Sequence, residues 1–499
     1  MKFIKAILVV AFFFLTTFTT YANNINISNV VSGTNATGVY LTFDLSWENS
    51  WRNATNYDAA WVFFKFKDLD GAWHHLNLSG NNNVISAGFA INAADSTGAM
   101  IYRSTTGYGN VSITGVQVGV VNLPGSFDIR SFAIEMVQIP QNVAYYLGDG
   151  NGSTFSYFSG NTPSVPYFLN TVASGITFGT AVGNLNDNAL TTPLATGFPI
   201  GYATTVGNNY MMKHELSQGA YKDFLNCLTY TQQISRTVVA PNSTAGTYAL
   251  AAFLRNSITI TTPGVASTTP AVYGCFAEWL ACGSVTGMDL LAFLDWAALR
   301  PMTDFEYEKA CRGPLTPKKN EYAWGDTAIS RVSYSINNAG TATEGVTYTG
   351  SVLNGNATHG GYYSPSGGAR VGMHATAYAT RISAGATYYG VLDMTGNVNE
   401  YMVASGGLAG RSFTGINGNG ELNANGEADE DYWPGINGNA TVTTPNTVYG
   451  GVTGVTAYAG LTQKGGSYSG AQIVSYRIGS GSGSTVRSPT NGGRGVKSW

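Results

Sequence analysis

Charge is the scarcest property of this chain. Of 499 residues only 11% are Asp, Glu, Lys or Arg, against about 25% in an ordinary globular protein. Lys and Arg nowhere cluster and the net charge is −3, which argues against nucleic acid, whose phosphate backbone calls for concentrated positive charge. Potential metal ligands are sparse as well. There are four cysteines and five histidines, and no cysteine stands beyond Cys311. His74 and His75 adjoin in a strand-like run, where neighbours point to opposite faces and share one metal only awkwardly. His214 precedes a helical pattern, while His359 and His374 fall in Gly-rich loops. No Gly-x-Ser-x-Gly elbow, HExxH pair or phosphate loop is present. After the first two dozen residues, no apolar run approaches the ~20 that a membrane span requires.

In place of charge the chain carries 63 Gly and 30 Tyr, with Asn, Ser and Thr supplying polarity, a composition that suits an exported β-rich protein. Residues 1–22 fit a secretory signal: Lys2 and Lys5, an apolar run from Ala6 to Leu15, then small residues ending at Ala22. Without that leader no transmembrane segment is expected, and the protein is expected to be secreted or at the cell surface. Export permits disulfides among Cys227, Cys275, Cys282 and Cys311. Sequence does not choose among the three pairings, and buried free thiols are the alternative.

Residues 23–145 alternate as half-buried strands do. Val39, Leu41, Phe43, Leu45 and Trp47 fall on one face of a strand, and Thr42, Asp44 and Ser46 on the other. Similar runs at Trp61–Lys67, His74–Leu78, Met100–Arg103, Val111–Val121 and Phe127–Ile139 predict an antiparallel β-sandwich. A Gly/Ser/Pro-rich stretch over 146–165 reads as a linker, and residues 166–499 as a second domain. There the period changes. Ser217 is placed to cap a helix with Tyr221, Phe224, Leu225 and Leu228 on one face. A second helix spans about Met288–Leu299 and stops before Pro301. A third starts at Thr303, where Thr303 and Glu306 match a capping box. Arg312-Gly313 suits its end. Beyond it only loops and short strands are legible, so the fold class is α+β with few helices and long loops.

Six short blocks then carry a resemblance. Met212-Lys213-His214-Glu215-Leu216-Ser217, Arg300-Pro301-Met302-Thr303 through Arg312-Gly313, Tyr322-Ala323-Trp324-Gly325-Asp326, Gly396-Asn397-Val398-Asn399-Glu400-Tyr401, Gly465-Gly466-Ser467-Tyr468 and Gly493-Arg494-Gly495-Val496 resemble, in order, blocks of the formylglycine-generating enzyme family, the sulfatase-modifying factors. The resemblance implies a C-type-lectin-like fold and, for aerobic members, oxidation of a substrate cysteine with copper held by two cysteines. Counted from Gly465, the matching positions here are Gly470 and Ser475, which supply no soft thiolate; no copper is expected, and an oxidase is disfavoured. The resemblance also implies a calcium site at Asn397, the Val398 carbonyl and Glu400, hard oxygen donors of the kind calcium takes. The alternative is that these groups hydrogen-bond a buried turn. Glu427, Asp429, Glu430 and Asp431 form a weaker acidic group that reads more readily as a solvated loop. Candidate ligand-binding side chains are Tyr432, Trp433, Tyr476, Arg477 and Arg487, with Tyr362 and Tyr363 as further aromatics. The expected function is a non-catalytic one, binding an extracellular glycan or protein or taking part in surface assembly. The alternatives are a divergent metal-dependent oxidoreductase or sulfatase-activating factor, and a structural component of an extracellular layer or filament.

Overall fold

The computed structural model describes residues 24–499 apart from 122–127, 142, 153–155, 171–175, 188–208, 252–253, 351–353, 377–378, 407, 412, 431–432, 435–459 and 479–485. The leader expected at 1–22 lies outside the described residues. Eight strands come first: β1 (Asn26–Asn35), β2 (Gly38–Arg52), β3 (Asp58–Lys67), β4 (Trp73–His75), β5 (Phe89–Asn92), β6 (Ala99–Arg103), β7 (Gly107–Gly119) and β8 (Asp128–Ile139). The order β1-β2-β7 makes one antiparallel sheet, and β3, β4, β5, β6 and β8 belong to another. Leu41, Phe43, Leu45 and Trp47 point into the layer between them with Ala60, Val62, Phe64, Val116 and Val118, so the period-two reading of β2 holds and the expected sandwich is present.

The second sheet does not stop at β8. Its order continues through the strand Asn209–Met212 to Gly495–Ser498 and Arg300–Pro301. Asn209 pairs with Ile139 on one side and with Ser498 on the other, so the sheet joins the sandwich to the C-terminal part of the chain. β3 shows the consequence. All of Ala59–Phe64 is buried, with Ala60, Val62 and Phe64 in the sandwich layer and Ala59, Trp61 and Phe63 in a second core with α-helical residues. A strand covered on both faces reads as a continuous apolar run rather than an alternation.

That second core rests on α1 (Gln218–Leu225), α2 (Tyr230–Arg236), α3 (Gly287–Trp296) and α4 (Asp304–Arg312). Ser217 caps α1 by accepting from the Ala220 amide at 3.2 Å, and Tyr221, Phe224, Leu225 and Leu228 are buried as expected. Thr303 and Glu306 form the expected capping box of α4. α3 ends at Trp296, earlier than the sequence suggests. Ala298 turns to a φ of +53°, and Arg300-Pro301 leaves the helix direction to pair with Val496 and Gly495. Sheet pairing, rather than the proline alone, sets that end. The other described residues form loops, two- to five-residue strands and one helical turn at Leu408–Arg411, in keeping with an α+β fold of few helices. Among the described residues no helix is long and apolar enough to cross a membrane.

The stretch expected as a linker is tied down where it is described. The Gly148 amide donates to Glu308 Oε2 at 2.7 Å, Asp149 Oδ2 accepts from the Asn320 amide at 2.7 Å, and Tyr157 is fully buried against Asp304 and Ser405.

Candidate functional site

The block at 396–401 begins with a turn that needs its sequence. Gly396 has a φ of +89°, and a side chain there would stand 2.5 Å from the Thr358 carbonyl. Asn397 follows at +59°, the left-handed region that Asn tolerates better than most residues. Its side chain is buried and spanned: Oδ1 accepts from the Ala369 amide at 2.8 Å and Nδ2 donates to Glu215 Oε2. The Val398 amide donates to the other Glu215 oxygen at 3.0 Å. Glu400 meets Arg494 in a two-pronged pair, Nε to Oε2 and Nη2 to Oε1, both 2.7 Å. Arg494 further donates to the carbonyls of Met212, Lys213 and Leu392. Three of the six sequence blocks thus close on one buried knot.

Its electrostatics follow from burial. Loss of solvent, then the charges of Asp393 and Glu400, push Glu215 well above the usual carboxylate range. Burial raises Glu400 too, with Arg494 working against it. For Arg494 burial opposes the charge, but Glu400, Glu215 and Asp393 outweigh it and raise its pKa. A calcium ion taken up by Asn397, Val398 and Glu400 would have to displace the Arg494 guanidinium from both Glu400 oxygens and the Ala369 amide from Asn397. The donor set as arranged does not fit that ion, and no chemistry is routed through it.

The two positions that the family resemblance pairs with thiolates lie in a different setting. Gly470 is exposed on a two-residue strand against Gly466-Ser467. Ser475 is fully buried, and its hydroxyl accepts from Asn151 Nδ2 at 2.9 Å. The four cysteines are free thiols, with Cys227, Cys282 and Cys311 buried. Burial pushes the Cys227 thiol up to about 11 and raises Cys275 and Cys282 as well, so none is poised as a thiolate nucleophile.

The remaining candidates mostly turn inward. Trp433 is fully buried and its indole donates to the Ile416 carbonyl at 3.0 Å, so it is a core side chain and offers no face to a ligand. Tyr432, like Asp431, lies outside the described residues. Arg477 is fully buried, ion-paired with Asp187 and 4.4 Å over the Tyr157 ring. Arg487 reaches Asp289 at 2.9 Å beside the cap of α3, and Tyr476 is half-buried. Tyr363 stacks on Tyr334 at 5.2 Å. His359 Nε2 donates to the Ser330 carbonyl at 2.8 Å, and His374 lies between the Tyr348 and Thr358 hydroxyls. Asp429 is held through its amide by Asp295. The exposed positions available from sequence are therefore few, because long polar side chains in a charge-poor protein are used to brace loops.

Sequence reasoning missed the polar group at the seam of the two cores. Lys213 Nζ contacts Glu135 Oε2 at 2.9 Å and Asp58 Oδ2 at 3.4 Å, all buried. The signal was a buried-strand pattern interrupted by Asp58 and Glu135. Beside it His214 lies under Gly372, where an added side chain would come within 2.8 Å of the imidazole.

Residues 202–407 match the family model described as the sulfatase-modifying factor enzyme 1-like domain. The Gly465 and Gly493 blocks lie beyond that match, yet Leu461–Lys464 pairs with Asn399–Val403 and Gly495–Ser498 pairs with Asn209–Met211, which places both blocks on the matched part. No curated protein matches the chain. Residues 202–407 thus form a domain similar to those of the formylglycine-generating enzyme and sulfatase-modifying factor family.

Proposed function

We propose that this is an exported sulfatase-modifying-factor-like protein that binds a ligand, or joins a surface assembly, without oxidising a thiol. One observation carries the reading: where the family resemblance calls for two thiolates, Gly470 has no side chain and Ser475 is buried with its hydroxyl engaged by Asn151. Neither group is a soft donor for copper(I). The raised thiols of the buried cysteines and the closed Glu400–Arg494 pair supply no substitute. A scaffold braced so thoroughly is suited to presenting a fixed surface, and an extracellular glycan or protein is the partner class that this reading favours.

The test is elemental analysis of purified protein, with oxygen uptake measured against a cysteine-containing peptide and binding scored on a glycan and protein array. Calcium titration is the companion measurement: with Glu400 held by Arg494 and Asn397 by the Ala369 amide, no saturable rise in unfolding midpoint is expected. The expected result is no stoichiometric copper, no thiol-dependent oxygen uptake and a specific array partner. Stoichiometric copper with thiol-dependent oxygen uptake would overturn the proposal.

A further inference from the structure

Where β8, the segment after Asn209–Met212, α1 and α3 meet, the seam between the two cores forms a partly open cavity of about 110 Å³. A second space of about 330 Å³ adjoins it, and Ile25, Ala133, Ile134, Ala220 and Phe293 line both. The walls of the first are chiefly apolar, with Trp279 and Val371 completing them. At one end stand two polar side chains with unfilled valence. His214 is buried, and among the described residues neither of its ring nitrogens has a hydrogen-bond partner. Glu135 Oε1 is buried and likewise has no hydrogen-bond partner among the described residues, while Glu135 Oε2 holds Lys213 at 2.9 Å. His214 Nε2 is 4.0 Å from that same Oε2, too far for a hydrogen bond. Polar atoms this buried are nearly always paired, so the cavity end is built to receive one.

The neighbours define what can enter. Burial first, then the charges of Lys213, Arg494 and Arg370, drive the His214 pKa well below its usual value, so the imidazole is neutral and offers one donor and one acceptor. Glu135, paired with Lys213, offers an acceptor. An ammonium group would be brought up to Lys213, Arg494 and Arg370, and a carboxylate to Glu135, Glu215 and Asp393. A neutral hydroxyl meets both demands, since it donates to Glu135 Oε1 and accepts from the imidazole N–H. An engineered apolar cavity of roughly 150 Å³ takes benzene; the space at Glu135 and His214 is about 110 Å³, and only together with the adjoining one of about 330 Å³ does it exceed that. We propose that this seam cavity is a binding site for a small neutral molecule with an apolar body and one hydroxyl, an alcohol or phenol, oriented by Glu135 and His214.

This inference rests on the binding reading above and names a site for it. Phenol and toluene are the probes, because they share a shape and differ in the hydroxyl. Saturable stabilisation against urea by phenol is expected, with toluene at least about tenfold weaker, the effect of a hydrogen bond to a charged acceptor. The ¹⁵N resonances of the His214 ring are expected to move with phenol and stay with toluene. Ala220→Leu, which fills the space without touching a polar group, is expected to remove the phenol effect while the protein stays folded, and His214→Phe to remove the preference for phenol over toluene. Equal responses to both probes, no saturable response to either, or an undiminished phenol effect in Ala220→Leu would overturn the site; so would His214 resonances that report only water. Those failures leave the binding reading standing, because that reading falls on copper and oxygen uptake instead.

Discussion

The pairing of Glu400 with Arg494 offers the most decisive perturbation, because it joins two of the sequence blocks and is wholly buried. In Arg494→Met the Glu400 carboxylate loses its counter-charge with no water to replace it, a situation that costs about 3–5 kcal/mol. The carbonyls of Met212, Lys213 and Leu392 also lose a donor, adding on the order of 1 kcal/mol or more. Glu400→Leu leaves the guanidinium unpaired and is expected to cost about the same 3–5 kcal/mol. The combined variant removes both charges. Since the attraction of a buried pair is largely offset by its desolvation, only the carbonyl loss should persist, and the double variant should be more stable than either single one. The singles sum to at least about 7 kcal/mol against about 1 for the double variant, so the coupling expected from the cycle is about 6 kcal/mol, above what neighbouring residues usually show because each single variant strands a buried charge. Urea unfolding followed by tryptophan fluorescence measures all four proteins, with an unchanged denaturant slope as the check that the unfolded states compare. If Arg494→Met costs under about 1 kcal/mol, or if the double variant loses the sum of the two singles, the knot is not what holds these blocks together.

Trp433→Ala is expected to cost about 3–5 kcal/mol as a buried large-to-small change, whereas Trp433→Phe should cost less, chiefly the bond to Ile416; unfolding midpoints read both, and array binding by the Phe variant should be unchanged. Gly313→Ala should destabilise by about 1–3 kcal/mol, since φ is +60° and the new methyl would stand 2.3 Å from the Tyr388 ring; a variant as stable as the parent in urea would contradict it. Burial, with His359 and Arg370 nearby, depresses His374 to about 3. A base depressed on folding binds its proton only when the chain unfolds, so its stabilising effect is whole above the unfolded value near 6.5 and is lost as pH falls toward the folded one. Between pH 6.5 and 5.0 the loss is about 2 kcal/mol, and His374→Phe should show a pH slope flatter by that amount in urea titrations. Identical slopes would refute the assignment.

The parts of the fold legible in the sequence are those with a local cause. The Thr303–Glu306 capping box, the apolar face from Tyr221 to Leu228 and the alternation of β2 each depend on residues a few positions apart, and each is found as read. The end of α3 was misplaced because Arg300-Pro301 answers to a strand almost two hundred positions away in sequence, at Gly495–Val496. The site was legible only as motifs. Asn397 and Glu400 were recognisable as motif positions, but the choice between a cation and a protein partner for Glu400 depends on Arg494, and nothing in either segment announces the other. Arg477 read as a surface candidate within a segment of small polar residues, and Trp433 as an aromatic in an acidic loop. In the fold both are buried, with Arg477 against Asp187 and Tyr157 and Trp433 held at the Ile416 carbonyl.

The shared sheet gives the seam cavity its significance. β3 carries Ala60, Val62 and Phe64 into one core and Ala59, Trp61 and Phe63 into the other, and Trp61 also donates to the Ala297 carbonyl at 2.9 Å. Separating the halves would bare a continuous apolar face, so neither side can shift without cost to the other. Glu135 comes from the sandwich side of this sheet and His214 from the family domain, and Lys213, next to His214 in the chain, is the cation that fixes Glu135. A molecule seated between Glu135 and His214 would therefore bridge the two cores, and its binding energy would be drawn from both. The first eight strands would then be more than an appended module: they would supply one wall of the site, and the domain at 202–407 the other.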